Sequence, residues 1–254
     1  ESLAAYSEEV GVPLGVGFQW SYYPSILQMK KDLLAGDFGA VQEAKAIVVW
    51  PRYSDYYVGW KGQLRAPSGE WILDSVMSNA TAHYLHNLLF LNGATLDKAA
   101  LPVSLEAMTY RANPIPSFDT VSLSGTLANG AKLLYLATHA AAESIDPIFE
   151  IRCEKATLSC DMNDQEPQYQ ARFHDGSVRV YGSGTNHADS AEKIRIFIQA
   201  VRDPNTFIPC HARTAIPHLK LCNAASDQVE VVDVPAELIT EGPFPGRPGR
   251  FVTG

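Results

Sequence analysis

The sequence predicts an α+β fold: an open, mainly antiparallel β-sheet with helices on one face, preceded by the closing helix and strand of a βαβ unit. Three observations predict it. Helix, strand and helix alternate up to residue 93. From Ser104 to about Val180 the segments turn short and rich in β-formers, with Asn129-Gly130, Asp161 to Asn163 and Asp175-Gly176 marking turns between them. Two helical segments and one strand then follow.

Leu3, Tyr6 and Val10 recur at helical spacing, and Gly11 supplies a stop. Residues 12–18 are apolar and read as a short buried strand. Pro24 opens a second helix, with Ile26, Leu27, Met29, Leu33 and Leu34 on its inner side and Gly36 and Gly39 at its end. Residues 41–50 read as a strand closed by Pro51. After an irregular segment over 52–70, Asp74 or Ser75 caps a third helix running to Leu91 and stopped by Asn92-Gly93. Six strands follow over 105–110, 120–125, 132–138, 148–152, 156–160 and 177–181. Helices over 188–201 and 213–225 precede a strand over 228–234. The tail from Glu241 is expected to be extended.

The 254 residues are 46% hydrophobic and 19% charged, which excludes a disordered chain. The net charge is −8 and the longest Lys/Arg cluster is the pair Lys30-Lys31, so a nucleic-acid partner is not expected. The most apolar stretch, 133–142, is broken by His139 and falls short of the ~20 residues of a membrane helix. Cys153, Cys160, Cys210 and Cys222 form no C-x-x-C and read as buried or half-buried thiols. The chain opens on Glu1 rather than Met, within what reads as a helix in progress, and is read as a fragment or a processed chain. Cytoplasmic location is expected, with periplasmic export left open because any signal would lie upstream of Glu1.

Chemistry concentrates in two places. On the third helix Asn79, His83 and His86 are spaced i, i+4, i+7, with Asn87 beside them, so one stripe carries amides and imidazoles. Such a stripe is either a solvated face or the lining of a polar site, where His serves as a general base and Asn orients it or binds a hydroxyl. His83 and His86 are awkwardly spaced for a metal and no carboxylate completes the set, so no metal is expected. Second, Tyr56, Tyr57, Trp60, Lys61 and Arg65 crowd one loop. They either pin that loop or present rings to the C–H face of a sugar and cations to its oxygens. His139 ends a strand, and in similar sequences the Thr-His pair faces the sheet interior or the cleft. His174 reads as a turn residue, and His187, His211 and His218 read as surface residues beside the terminal helices.

Gly11-Val-Pro-Leu-Gly-Val-Gly-Phe18, Pro24, Leu33-Leu34-Ala-Gly-Asp-Phe-Gly39 and the helix ending at Leu91-Asn-Gly93 resemble the Gfo/Idh/MocA oxidoreductases, the relatives of glucose–fructose oxidoreductase and inositol dehydrogenase. The resemblance implies that residues 1–18 are the last helix and strand of a Rossmann NAD(P)-binding domain. Residues 19–254 would then be the substrate-binding and oligomerisation domain. The family's helix reads D-x-x-x-H, with the His ten residues before a terminal Gly; His83 matches the proton-transfer His, and Asn79 stands where the Asp would be. Asp74 reads as an N-cap. Substrate contacts are implied for Trp60, Lys61, Tyr57, Arg65 and His86. The glycine-rich turn and the E-K-P motif are absent, so no cofactor-binding residue is expected in this chain although NAD or NADP is implied for the whole protein.

The function implied is oxidation or reduction of a sugar, polyol or related hydroxyl compound, by hydride transfer with His-assisted proton transfer. The alternatives are a binding and assembly module without chemistry, and an NAD-dependent glycosidase of the same architecture. Leu133, Leu134, Tyr135 and Leu136 are apolar in both alternating sets, which implies a sheet buried on both faces and a homodimer or homotetramer formed through the second face.

Overall fold

Alternation along the strands organises the molecule. In the computed structural model, which describes residues 1–185, 190–243 and 246–252, nine strands form one sheet. The chain runs through α1 (Ser2–Val10), α2 (Pro24–Ala35), β1 (Val41–Val49) and α3 (Ala82–Leu91). It continues through β2 (Pro102–Arg111), β3 (Thr120–Leu127), β4 (Lys132–Thr138), β5 (Ile145–Cys153), β6 (Ala156–Asp161), β7 (Gln168–Phe173) and β8 (Val178–Ser183). Then come α4 (Glu192–Arg202), α5 (Ala212–Gln228), β9 (Val231–Asp233), β10 (Ile239–Pro243) and β11 (Pro248–Val252). The sheet order is β8-β7-β6-β5-β1-β4-β3-β2-β9, and β10 and β11 form a separate hairpin. Only the β1–β4 and β2–β9 pairs are parallel.

Ala44, Ala46 and Val48 of β1 share a buried face with Val121, Leu123, Leu133, Tyr135, Phe149 and Ile151. Helices α2, α3 and α5 cover it, α3 lying on β1 and β5, α2 on β8 and α5 on β2. This is the expected α+β architecture. α3 has ten residues and carries three imidazole and amide positions, His83, His86 and Asn87, too short and too polar to persist by propensity alone. Leu85, Leu88 and Leu89 are fully buried, and each contributes about 1.5–3 kcal/mol to holding it on the sheet. Its end needs Gly93, where a Cβ would stand 1.7 Å from the Lys98 carbonyl oxygen. That carbonyl accepts from the buried Lys30 ammonium of α2 at 2.6 Å, tying the two helices together.

The other sheet face is also apolar, but within this chain it stays open among the described residues. Ile47, Leu136 and Ile148 are half-buried there, Leu134 is 37% exposed and Met108 55% exposed. The described part of the tail does not cover them. Its hairpin runs to Ala140 and Tyr53 at the end of β4, where Phe251 is wholly buried.

Four local expectations are corrected. Residues 12–18 form no strand of the sheet; Gly15 makes an isolated bridge to His211, because the backbone alongside is the short segment ahead of α5. The third helix starts at Ala82, not at Asp74 or Ser75. The Ser78 hydroxyl accepts from the Ser75 amide at 2.8 Å and the Thr81 hydroxyl donates to the Val76 carbonyl, and these local bonds compete with helix formation. Asp74 is therefore no N-cap. β7 was not expected, since Gln168–Phe173 lacks β-branched residues; pairing with β6 and β8 on both sides makes it a strand. The tail is extended but folds back on itself as β10 and β11. The four cysteines are free and buried, as expected. His187 and the expected helix start at Ala188 lie outside the described residues.

The Tyr135 hydroxyl on β4, wholly buried, reaches the Thr81 hydroxyl at 2.6 Å and its carbonyl at 3.0 Å. Tyr135→Phe removes the hydroxyl from a wholly buried site. Urea denaturation should show a loss of about 1–2 kcal/mol with an unchanged slope; an unchanged midpoint would mean this contact does not hold the start of α3.

Candidate functional site

The segment between β1 and α3 folds as an irregular hairpin. Ala66 donates to the Glu70 carbonyl and Ile72 to the Leu64 carbonyl, both at 2.9 Å. A bridge between Arg65 and Trp71 sets their side chains together, the guanidinium 3.3 Å from the indole centroid. Arg65 Nη1 also donates to the Gly69 carbonyl at 2.7 Å. At the base of the hairpin the Gly62 amide donates to Asp74 Oδ2 at 2.6 Å. Gly62 sits at φ +72°, where its amide can face that carboxylate. Leu73, beside it, is the one described non-glycine residue with positive φ, at 53°. Strain of this kind persists where the surroundings impose it.

This hairpin, the residues leading out of α1, and α5 enclose a cavity of about 710 Å³. Leu14, Val16 and Phe18 line one side and Ile216, Leu219 and Cys222 another. Its polar groups are few: Asp74, Ser78, Asn79, His218 and Asn223, with Glu1 at the chain end. Trp60 and Trp71 also line it and are 53% and 58% exposed. An apolar cavity of this size with few convergent polar groups is the usual form of a small-molecule site. α1 is held against α5 by the pairs Glu8–Arg213 and Glu1–Lys220.

Asp74 is buried, and desolvation raises its pKa above the ordinary carboxylate value despite the opposing Gly62 amide and Asn79 amide. Asn79 donates to the Tyr56 hydroxyl at 3.2 Å. Because α3 starts three residues later, Asn79, His83 and His86 do not form one helical stripe. Asn79 faces the cavity. His83 is half-buried with its ring edge-to-face on Phe18 at 5.7 Å, one ring away from the cavity. Its Nδ1 is buried and has no hydrogen-bond partner among the described residues. Burial, then the charge of Lys193, lowers its pKa, so the ring is neutral and free to accept a proton at neutral pH.

His86 is in the core. It is 1% exposed, stacks on Phe18 at 4.0 Å and lies 3.1 Å from the Ser21 hydroxyl and 3.6 Å from the Cys210 thiol. It therefore does not line the cavity. Tyr57 also turns inward, its hydroxyl buried and its ring edge-on to Tyr56 at 5.2 Å. The Lys61 ammonium lies 4.4 Å from the Tyr56 ring centroid rather than in the cavity. Of the residues read as substrate-binding, Trp60 is in the cavity wall and Arg65 stands behind it on Trp71. The sequence reading missed Trp71, whose role depends on a cross-hairpin neighbour. It also placed His218 on the surface, whereas His218 is 5% exposed, hydrogen-bonds the Met77 carbonyl at 3.1 Å and lines the cavity.

No family model matches the chain, and no curated protein sequence does. Solved structures match its fold. A UDP-N-acetylglucosamine 3-dehydrogenase, GnnA from Acidithiobacillus ferrooxidans, is 18% identical with a TM-score of 0.66, over 90% of this chain and 65% of its own. The WlbA dehydrogenase from Bordetella pertussis, in complex with NADH and UDP-GlcNAcA, is 22% identical with a TM-score of 0.62, over 86% of this chain and 62% of its own. An aldose-aldose oxidoreductase from Caulobacter crescentus, complexed with glycerol, is 12% identical with a TM-score of 0.64, over 87% and 62%. The chain thus has the fold of the C-terminal domain of Gfo/Idh/MocA-type oxidoreductases and spans somewhat less than two thirds of the length of these three.

The buried imidazoles set an acid limit on stability. Burial lowers His218 from 6.5 to about 4 and His139, which hydrogen-bonds the Trp50 carbonyl at 2.8 Å, to about 3. Between pH 6.5 and 4 the unfolded chain binds protons that the folded chain refuses, so stability present above pH 6.5 falls as the pH drops. For His218 the loss is on the order of 3 kcal/mol. Denaturation midpoints at pH 7 and pH 4.5 should differ markedly, and His218→Gln should flatten the difference; a pH-independent midpoint would contradict the burial of both rings.

Proposed function

We propose that this chain is the substrate-binding and assembly part of an NAD(P)-dependent oxidoreductase that acts on a hydroxyl group of a sugar, polyol or related compound. In this reading residues 1–18 close a cofactor-binding domain and residues 19–254 form the substrate domain. The observation that carries it is the meeting of Asp74, Asn79 and two exposed tryptophans at one cavity, with a neutral His83 one ring away. The similar structures add weight: they are named as sugar dehydrogenases or oxidoreductases, and one holds NADH.

The residues of this chain do not fit a dinucleotide cradle. It carries no G-x-G-x-x-G turn at a helix N-terminus, so NAD or NADP falls to the remainder of the protein in this proposal. That cofactor supplies the hydride exchange. The residues here bind and orient the substrate and handle its proton. His83, uncharged at neutral pH, accepts the hydroxyl proton during oxidation and returns it during reduction. Asn79, fixed between Asp74 and Tyr56, turns the substrate hydroxyl toward it. Trp60 and Trp71 offer flat apolar surfaces to a ring.

In the complete protein, His83→Ala should lower kcat by roughly 10²–10⁴-fold with its own substrate. His86→Ala should act mainly on stability. Wild-type turnover in the His83 variant would remove the proton-transfer role, whereas no turnover by the complete wild-type protein would favour a binding module without chemistry.

The open sheet face is proposed to seat a second copy, face to face about a two-fold axis. The row Ile148, Ile47, Leu136, Ser122 and Met108, with Leu134 beside it, lies across five neighbouring strands and has no cover among the described residues. Light scattering at tens of micromolar should give the mass of a dimer or tetramer, with or without residues 239–254, and Met108→Lys with Leu134→Lys should reduce it. A monomer in both forms rules the interface out.

A further inference from the structure

We propose that the hairpin β10–β11 is a strap that positions the candidate site from outside it, with Phe251 and Arg247 acting through Tyr53 on Tyr56. Its importance for activity rests on the role given to Asn79 above; the strap itself does not.

Two strands alone make a marginal sheet in water, so β10 and β11 need an anchor. Phe251 supplies it. Its ring is wholly buried and folds back over Gly249, where a Cβ would stand 2.4 Å from the ring. The next residue, Val252, donates its amide to the Ala140 carbonyl at 2.7 Å and bridges Ala141 in parallel. The hairpin is thus seated on the chain that leaves β4.

The same few residues meet the chain that leaves β1. The Arg52 amide donates to the His139 carbonyl at 3.0 Å, which brings Tyr53 beside the hairpin. The Phe251 and Tyr53 rings meet edge-to-face at 5.9 Å. The Arg247 guanidinium lies 4.9 Å from the Tyr53 ring centroid and pairs with the Asp55 carboxylate. Tyr53 leads into the short helical turn Ser54–Tyr57, and its carbonyl accepts from the Tyr56 amide at 2.9 Å. The Tyr56 hydroxyl is the one that accepts from Asn79. The path from Phe251 to Asn79 therefore runs through one ring contact, one backbone hydrogen bond and one side-chain hydrogen bond.

The turn brings no core of its own. None of its four residues is wholly buried, and no side chain caps its start. Arg52 and Lys61 lie over the Tyr56 ring, but they belong to the same segment and move with it. Segments with so few buried contacts open locally, well below global unfolding. Turn and hairpin each lack the means to stay closed alone, so they close together. The two holds differ in kind. Phe251 contributes apolar burial. The exposed Arg247–Asp55 pair contributes orientation and weakens in salt.

Hydrogen exchange of the complete protein, followed by mass spectrometry, tests the strap without any substrate. Phe251→Ala should speed exchange over residues 53–58 by roughly tenfold, and Phe251→Leu should restore most of the protection. Residues 156–173, in β6 and β7, should exchange as before. Should Phe251→Ala fail to fold, Arg247→Ala at the surface should speed the same residues by about threefold, and added salt should do so in the wild-type protein. Unchanged exchange over 53–58 in the variants that fold overturns the strap. The reach to the site is read at Tyr56, whose phenol burial holds above the ordinary tyrosine pKa. With carbon-13-labelled tyrosine, the Tyr56 resonance, identified by its loss in Tyr56→Phe, should titrate at lower pH in Phe251→Ala as water reaches the ring. A Tyr56 titration identical to wild type overturns the route to Asn79. Neither measurement uses a substrate, so failure of the oxidoreductase reading leaves both results standing.

Discussion

Thr81 is the joint on which the site depends. Its hydroxyl donates to the Val76 carbonyl, and the buried Tyr135 phenol from the middle of the sheet reaches both of its oxygens. That contact fixes the first turn of α3 over β4. The eight residues before it are then left in turns, bonded through Ser75, Ser78 and Leu73 rather than through a helical ladder. Asp74 and Asn79 reach the cavity because they are in those turns. Had the helix begun at Ser75, Asn79 would sit in its second turn and could not bridge Asp74 and Tyr56.

The same burial that seats the helices decides protonation. His83, His86 and His218 all contact Phe18, and each has its pKa lowered first by loss of water. Among the three, His83 alone keeps partial exposure. Three imidazoles around one phenyl ring thus divide into two structural rings and one that can still exchange a proton. Solvent access, rather than identity, separates them, which is why a stripe of amides and imidazoles in the sequence could not assign their roles.

What the sequence disclosed was governed by short-range rules. The ends of α2 and α3 follow from Gly36, at φ +80°, and from Gly93, which no side chain can replace. β3, β4 and β5 were legible because each is a short run of β-formers bounded by turn residues. Features set by distant partners were hidden. Gln168–Phe173 became β7 only through neighbours on both sides. His218 read as a surface residue on a polar helix, but Met77, far earlier in the chain, supplies the carbonyl that keeps it inside. Trp71 drew no attention until the hairpin put Arg65 on its face. Trp60, by contrast, could be singled out because its loop is crowded with aromatics in the sequence itself.

The two surfaces proposed for function lie on opposite sides of the sheet. The cavity is walled by α5 and by the segments before α2 and α3, all on the helical side. The apolar row from Ile148 to Met108 faces the other way. A second copy seated on that row would stiffen β1, β4, β3 and β2 from behind without approaching the cavity. Tyr135 belongs to β4 and points through to Thr81, so any gain in rigidity at the interface is passed to the start of α3. Assembly in this arrangement supports the turn that holds Asp74 and Asn79, and it does so through one buried phenol rather than through contacts with the ligand.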